Sequence, residues 1–373
     1  MSGIKIKISD FKEKATALLI FIPSIVFVPH ILYIIFLYQL KNFKINSKID
    51  TNYFIIFLII VLSILNQIFV GSQGNNVSQS ISSLIPYSFF IFISFLLAKN
   101  ISKKLLKFLL FLILLEILIG FLEYISGTHS FFITSKGQSP FGVNGYLYYS
   151  RVFGLSENSS TLAFKIFMGV LILNHVYPIK QYKTTNLIIL SVLLTGIFIS
   201  FNRTIIISTI IFYSLLYRKA LIKILFRPFT LIIVVAAIIV VFNLYFESIF
   251  TQFSRGKDVE ESAGRLFIWL DYIEFIKSNL FFGNGSVKRW IILEGNVRHA
   301  HNSFLQTLAT NGIFIFSLYM FYIFRNINKK NFIYIVPCLF ASISQYFLLW
   351  GISLWDIIFY YFLLNKEFHL NNE

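Results

Sequence analysis

The sequence predicts an all-α polytopic transmembrane helix bundle of about 11 to 12 spans, with a long external loop that carries an amphipathic helix. Three observations carry this prediction. Hydrophobic residues make up 57% of the 373-residue chain and charged residues 13%, about half the charged share of a soluble domain. Apolar runs of near-spanning length recur from one end to the other. The short loops between them alternate between cation-rich and cation-free, as membrane topology requires.

The runs fall at 15–38, 53–70, 84–98, 105–125, 161–177, 187–201, 204–217, 229–249, 304–324, 332–349 and 352–364. One set of loops carries Lys41, Lys44 and Lys48, then Lys99, Lys103 and Lys104, then Lys180 and Lys183, then Arg218, Lys219, Lys223 and Arg227, and finally Arg325, Lys329 and Lys330. Cations on the short loops favour the cytoplasmic side. The loops 126–160 and 250–303 then lie outside, as does the turn holding Arg203. The N-terminus carries Lys5, Lys7, Lys12 and Lys14, so it belongs inside as well. A single span at 15–38 would break that parity. Two short helices hinged near Pro23 and Pro29 restore it, because proline disfavours a continuous helix. The whole chain, 1–373, reads as one membrane domain, and no cleavable signal peptide is expected.

The formal net charge is +16. In a soluble protein this would suggest nucleic acid. Here the cations sit in short loops with no stripe of interleaved aromatics, so nucleic acid is not expected as a partner. Cys338 is the single cysteine, which excludes an internal disulfide or a thiolate metal cluster.

The loop 250–303 is the most informative stretch. Asp271, Glu274, Lys277 and Ser278 fall three or four apart and share one helical face. The other face is apolar and aromatic, which describes an interfacial helix. Ser262 or Gly264 can start it, placing Arg265 in its first turn, and Phe282-Gly283-Asn284-Gly285 ends it. A phosphate there would meet free N–H groups and a guanidinium together; a snorkelling interfacial arginine fits the same position. Further on, Ser303 and Gln306 have capping-box spacing. His301 and Asn302 then sit at the mouth of the next span, where a histidine can act as a general base or simply be solvated. His299 and His301 lack a third ligand at metal spacing, so a zinc site is the weaker reading. Arg203 lies in an external turn, against the charge rule. Glu157 could pair with an arginine or take a proton, while Asn158 or Ser160 caps the next span. Of the intramembrane polar residues, Glu116 and Lys165 read best as a structural pair.

The order of these elements resembles one family. Arg203-Thr204 ends a span; Gly264-Arg265 and Trp269 follow; then come Gly283 and Gly285, then His301-Asn302-Ser303, then Asn311-Gly312-Ile313. This is similar to the O-antigen polymerase (Wzy-type) and O-antigen ligase superfamily over roughly 145–325. Asn202 stands where the family has serine, and Arg151 to Asn158 resembles its earlier element, with Glu157 where proline is common. The resemblance implies transfer of a glycan from undecaprenyl pyrophosphate to a sugar hydroxyl, with no metal and no cofactor, at the periplasmic face of the bacterial inner membrane. It implies His301, Arg265 and Arg203 as catalytic residues and Arg151, Glu157, Arg298, Asn302 and Trp269 as substrate-binding. It implies a lipid-linked oligosaccharide, membrane lipid and a chain-length regulator protein as partners. The acceptor would be a second lipid-linked repeat for a polymerase, or lipid A core for a ligase. A lipid-linked oligosaccharide flippase is the competing class, and it predicts charges lining a central cavity.

Overall fold

The computed structural model describes residues 2–28, 51–70, 87–133, 151–177, 183–225, 259–293, 296–349 and 352–368, with the isolated positions 236 and 239. Helices dominate: α1 (Ser2–Phe21), α2 (Thr51–Phe69), α3 (Tyr87–Lys99), α4 (Lys103–Ser126), α5 (Ser159–Val176), α6 (Thr184–Ile199), α7 (Arg203–Leu216), α8 (Arg218–Leu225), α9 (Val259–Ser278), α10 (Ser303–Asn326), α11 (Phe332–Ser344) and α12 (Leu354–Leu364). Strands β1 (Ile291–Leu293) and β2 (Asn296–Arg298) form a small antiparallel hairpin. The fold is an all-α polytopic bundle. Helices α2, α4, α5 and α10 are long and apolar enough to cross a membrane, and the chain is a membrane protein. α1 breaks at a 3₁₀ turn, Ile22–Ser24, that contains Pro23; the rest of the expected hairpin, through Pro29, lies outside the described residues. So does the run at 229–249, except positions 236 and 239.

The residues divide into two compact units, Met1–Leu112 with Leu171–Ile179 and Gly264–Glu373, and Ile113–Val170 with Lys180–Ala263. In the first unit, α12 is buried from Leu354 to Leu363. A helix apolar on every side belongs at the centre of a bundle. α3 packs on α12, and α2 packs on both α3 and α10. Basic ends gather at one end of this unit. Lys99 sits 3.7 Å over the Tyr53 ring, Asn326 donates to Asn52 at 3.0 Å, and Lys103 pairs with Glu367 at 2.9 Å. His301 and Ser303 stand at the opposite end of α10.

Two features depart from the expected spans. The run at 332–349 is helical only to Ser344, after which the chain is non-helical and buried through Leu349. The reason is remote: the Ser303 hydroxyl accepts from Phe347 and Leu348 N–H at 3.0 Å each, and the Asp356 carboxylate accepts from Leu349 N–H at 2.8 Å. Non-helical backbone at membrane depth is tolerated only where such partners exist. The second departure is inside α10. Gly312 has φ +73° and ψ 176° and breaks the helix. The stretch after α9 fills the break: Ile313 N–H donates to Leu280 O, Asn284 N–H to Ala309 O, and Ser286 N–H to Thr310 O, at 2.8 to 2.9 Å. Asn66 of α2 pins this plug, donating to Phe282 O at 2.8 Å and the Ser286 hydroxyl at 3.1 Å.

In the second unit, Lys165 and Glu116 form a fully buried ion pair at 2.8 Å, joined by the Ser156 hydroxyl at 2.8 Å. The structural-pair expectation is met. Glu123 accepts from the backbone N–H groups of Phe131, Phe153 and Gly154, which fixes the chain just before Asn158. α8 is a short basic helix where the sequence suggested a loop.

Candidate active site

α9 carries the first candidate side chain, Arg265. It begins at Val259, five residues before Gly264, so Ser262 and Gly264 do not start it and Arg265 lies in its second turn. Glu260 and Glu261 fall in the first turn by sequence, where acidic residues suit the helix dipole. Arg265 therefore stands apart from the free N–H groups of the helix start. That guanidinium donates to Ser344 O at 3.3 Å, bringing the end of α11 to the site.

The same helix fixes the segment before α10. The Trp269 indole N–H donates to Ala300 O at 2.7 Å. The Tyr272 hydroxyl donates to Arg289 O at 2.7 Å and approaches Gln306 Oε1 at 3.0 Å. Ala300 N–H also donates to Gln306 Oε1, at 3.0 Å, and Gln306 Nε2 donates to Arg289 O at 2.8 Å. Gln306 is thus a staple between the hairpin and the start of α10. The expected capping box of Ser303 and Gln306 is absent: Asn302 is the N-cap, accepting from Phe304 and Leu305 N–H at 2.9 and 3.0 Å. Asn is as good an N-cap as Ser, and with Asn302 in that place Ser303 is free to hold the 345–348 segment. Arg289 is accounted for by its ion pair to Asp271 at 2.8 Å and its place 3.8 Å over Phe275.

What remains is a cationic cluster around two histidines. His301 has φ +48°. Its ring lies 4.1 Å from that of His299, which also meets Tyr346 at 5.4 Å and Trp290 at 6.1 Å. Lys288 Nζ is 5.5 Å from the Tyr346 ring centre. Burial, helped by Arg265 and Arg298, pushes the His301 imidazole down to about 4. Burial, His301 and the cations Lys288, Arg265 and Arg298 push His299 to about 3. Burial lowers Lys288 to about 7, partly offset by the Asp356 carboxylate. Both imidazoles are neutral at pH 7, and the fixed charges acting on them, Arg265 and Arg298, are positive. Such a site favours an anion, and it offers a neutral imidazole to accept a proton.

The structure thus brings Arg265, Arg298 and His301 together, with Trp269 and Asn302 supporting the turn that carries His301. Lys288 and Tyr346 belong to the cluster and were missed in the sequence. Lys288 had a legible signal, a cation on an external loop; Tyr346 had none, because it sits in an apolar run read as helix. Arg203, Arg151 and Glu157 lie in the second unit. Arg203 is the first residue of α7, behind an Asn202 cap that accepts from Ile205 N–H at 3.1 Å. Arg151 O meets His129 Nδ1 at 2.7 Å. Glu157 is exposed and makes no ion pair among the described residues.

The glycines of the sequence pattern have a plain structural reason. A Cβ on Gly312 would sit 2.1 Å from Phe281 O, and one on Gly283, which has φ +58°, would sit 2.6 Å from Ala309 O. Only glycine permits this backbone approach.

Residues 187–320 match the family model described as O-Antigen ligase. That stretch contains Arg203, Arg265, Trp269, both plug glycines, His301 to Ser303 and Gly312. No curated protein and no solved structure matches the chain.

Proposed function

We propose that the chain is a surface-polysaccharide polymerase acting on lipid-linked glycans, a reading supported by the match of residues 187–320 to the family model described as O-Antigen ligase. The donor is a glycan on undecaprenyl pyrophosphate, and the acceptor is a sugar hydroxyl of another lipid-linked repeat. The observation that carries this reading is the pair Arg265 and Arg298 acting on the neutral His301, with Lys288 acting on the adjacent His299.

The step balances without a further reactant. The acceptor oxygen bonds to the anomeric carbon as the bond from that carbon to the pyrophosphate oxygen breaks. The pyrophosphate leaves with the electron pair, and the hydroxyl proton passes to the His301 imidazole. Charge develops on the leaving group, and guanidinium groups aimed at it stabilise the transition state. A bound diphosphate also brings negative charge beside His301, which raises its proton affinity at the moment it must accept. By resemblance Arg203 keeps its assignment as a catalytic residue, and Arg151 and Glu157 theirs as substrate-binding residues. The reaction faces the periplasm in this reading, a placement supported by the gathering of lysines at the end of the first unit opposite to His301.

A deletion strain examined by lipopolysaccharide gel tests the proposal. A polymerase leaves a single repeat on core and no ladder. Complete loss of attached repeats instead indicates a ligase, the second reading, which the description of the matched family favours. An unaltered ladder removes both.

A further inference from the structure

His299 is not part of the His-Asn-Ser element, yet it touches that element directly. The His301 backbone N–H donates to His299 Nδ1 at 3.1 Å, and the two rings lie 4.1 Å apart. An acceptor two residues before an N–H is the geometry of an Asx turn, usually made by the oxygen of Asn or Asp. Here an imidazole nitrogen takes that place. It does so at a residue with φ +48°, a conformation that a non-glycine side chain adopts only when its surroundings impose it.

This contact also fixes the chemistry of His299. A nitrogen that accepts carries no proton, so the ring hydrogen lies on Nε2. Protonation at Nδ1 would turn the acceptor into a donor and open the turn. The neighbours oppose that event: Trp290 and Tyr346 wall the ring, and the cations Lys288, Arg265 and Arg298 face it from the loop after α9, from α9 and from β2. Every charged group acting on it disfavours the imidazolium.

We propose that His299 is a positioning residue, whose neutral Nδ1 straps His301 into its left-handed turn and so aims the His301 imidazole at the acceptor hydroxyl. The proposal rests on the transfer reaction proposed above. It assigns the two histidines different work: His301 moves the proton, and His299 never does.

The test uses purified full-length protein in liposomes, with lipid-linked repeats extracted from the deletion strain as donor and acceptor. His299→Asn retains an acceptor at the right distance, and its kcat should stay within about threefold of wild type, as for a turn whose hydrogen bond is conserved. His299→Gln moves the acceptor one carbon further out, and His299→Leu removes it. Both should lose about a hundredfold in kcat, the cost of a misplaced catalytic group, while KM for the donor moves little. Thermal midpoints in detergent separate this from unfolding, and the Asn and Gln pair gives the comparison if the Leu variant does not fold. If Gln matches wild type, or Asn falls as far as Gln with folding intact, the strap is overturned. His301→Ala serves as the reference: a wild-type rate there defeats the transfer reading itself, whereas an inactive His301→Ala beside a fully active His299→Gln defeats only the strap.

Discussion

The His301 imidazole lies among Arg265, Arg298 and the neutral His299, and burial holds it near 4. Its base form is therefore present across the neutral range and is lost as pH falls through about 4 in the free protein. The acid limb of kcat/KM, which reports the free enzyme, should fall near pH 4, well below an ordinary histidine. The limb of kcat should lie higher, since bound diphosphate raises the group. A kcat/KM limb at 6.5 would contradict the buried cationic setting. Arg265→Ala and His301→Ala should both abolish transfer with membrane levels unchanged on immunoblot; Arg265→Lys should recover little, because an ammonium lacks the planar fork that fits phosphate oxygens. The buried Glu116–Lys165 pair obeys different arithmetic. Lys165→Ala leaves a carboxylate alone in an apolar interior and should destabilise by about 3–5 kcal/mol, whereas replacing both partners by apolar residues should cost much less. Thermal midpoints of the single and double variants measure this directly. At this scale the sequence was legible where chemistry opposes its surroundings. Arg203 stood out because a cation in an external turn violates the charge rule, and Arg265 and His301 because the sequence puts them at helix starts, where an anion or a polar headgroup is favoured. Tyr346 did not, because nothing in Gln345-Tyr346-Phe347 opposes helix.

Helices were legible from hydropathy, since spanning length is set by the bilayer and not by neighbours. Their interruptions were not. α10 reads as one continuous span, and its break at Gly312 depends on backbone groups supplied by 280–286 and on an amide from Asn66. α11 reads as a full span, and its early end depends on Ser303 and Asp356. In each case the partner that makes non-helical backbone affordable comes from far along the chain, and pattern reading sees only local periodicity. The Asn311-Gly312 and Gly283-Asn284-Gly285 pairs were visible as motifs, but their role, a backbone-to-backbone junction, was not. The junction makes a contrast between glycines. Gly312→Ala places a methyl carbon 2.1 Å from a carbonyl oxygen at a φ of +73°, and no flexible side chain is there to yield. Folded protein recovered from membranes should fall to near nothing. Gly120→Ala meets only the Val152 and Leu162 side chains at 3.3 and 3.7 Å, and should be recovered at close to wild-type level. Ser303→Ala strands two buried N–H groups and should cost about 1–3 kcal/mol for each, read as a lower thermal midpoint.

The net charge of +16 has a directional meaning for the whole molecule. Among the described residues of the first unit, Lys99, Lys103 and Arg325 stand at the end where α3 stops, α4 starts and α10 stops. The cluster of Lys288, Arg298 and Arg265 is the exception, at the other end. A bilayer that retains short-loop cations on the cytoplasmic side leaves such an exception outside, where it needs a reason to exist. An anionic substrate supplies one: the same cations that topology disfavours are those that a diphosphate headgroup would neutralise. This argument predicts an orientation that chemistry alone does not. In a Cys338→Ala background, a cysteine at Val297, exposed on the hairpin, should react with a membrane-impermeant maleimide in intact spheroplasts. One at the exposed Lys329 should react only after lysis. The reverse pattern would put the histidine cluster in the cytoplasm, where no lipid-linked glycan delivered to the outer leaflet could reach it, and the transfer reaction would then have to be abandoned even if both variants folded normally.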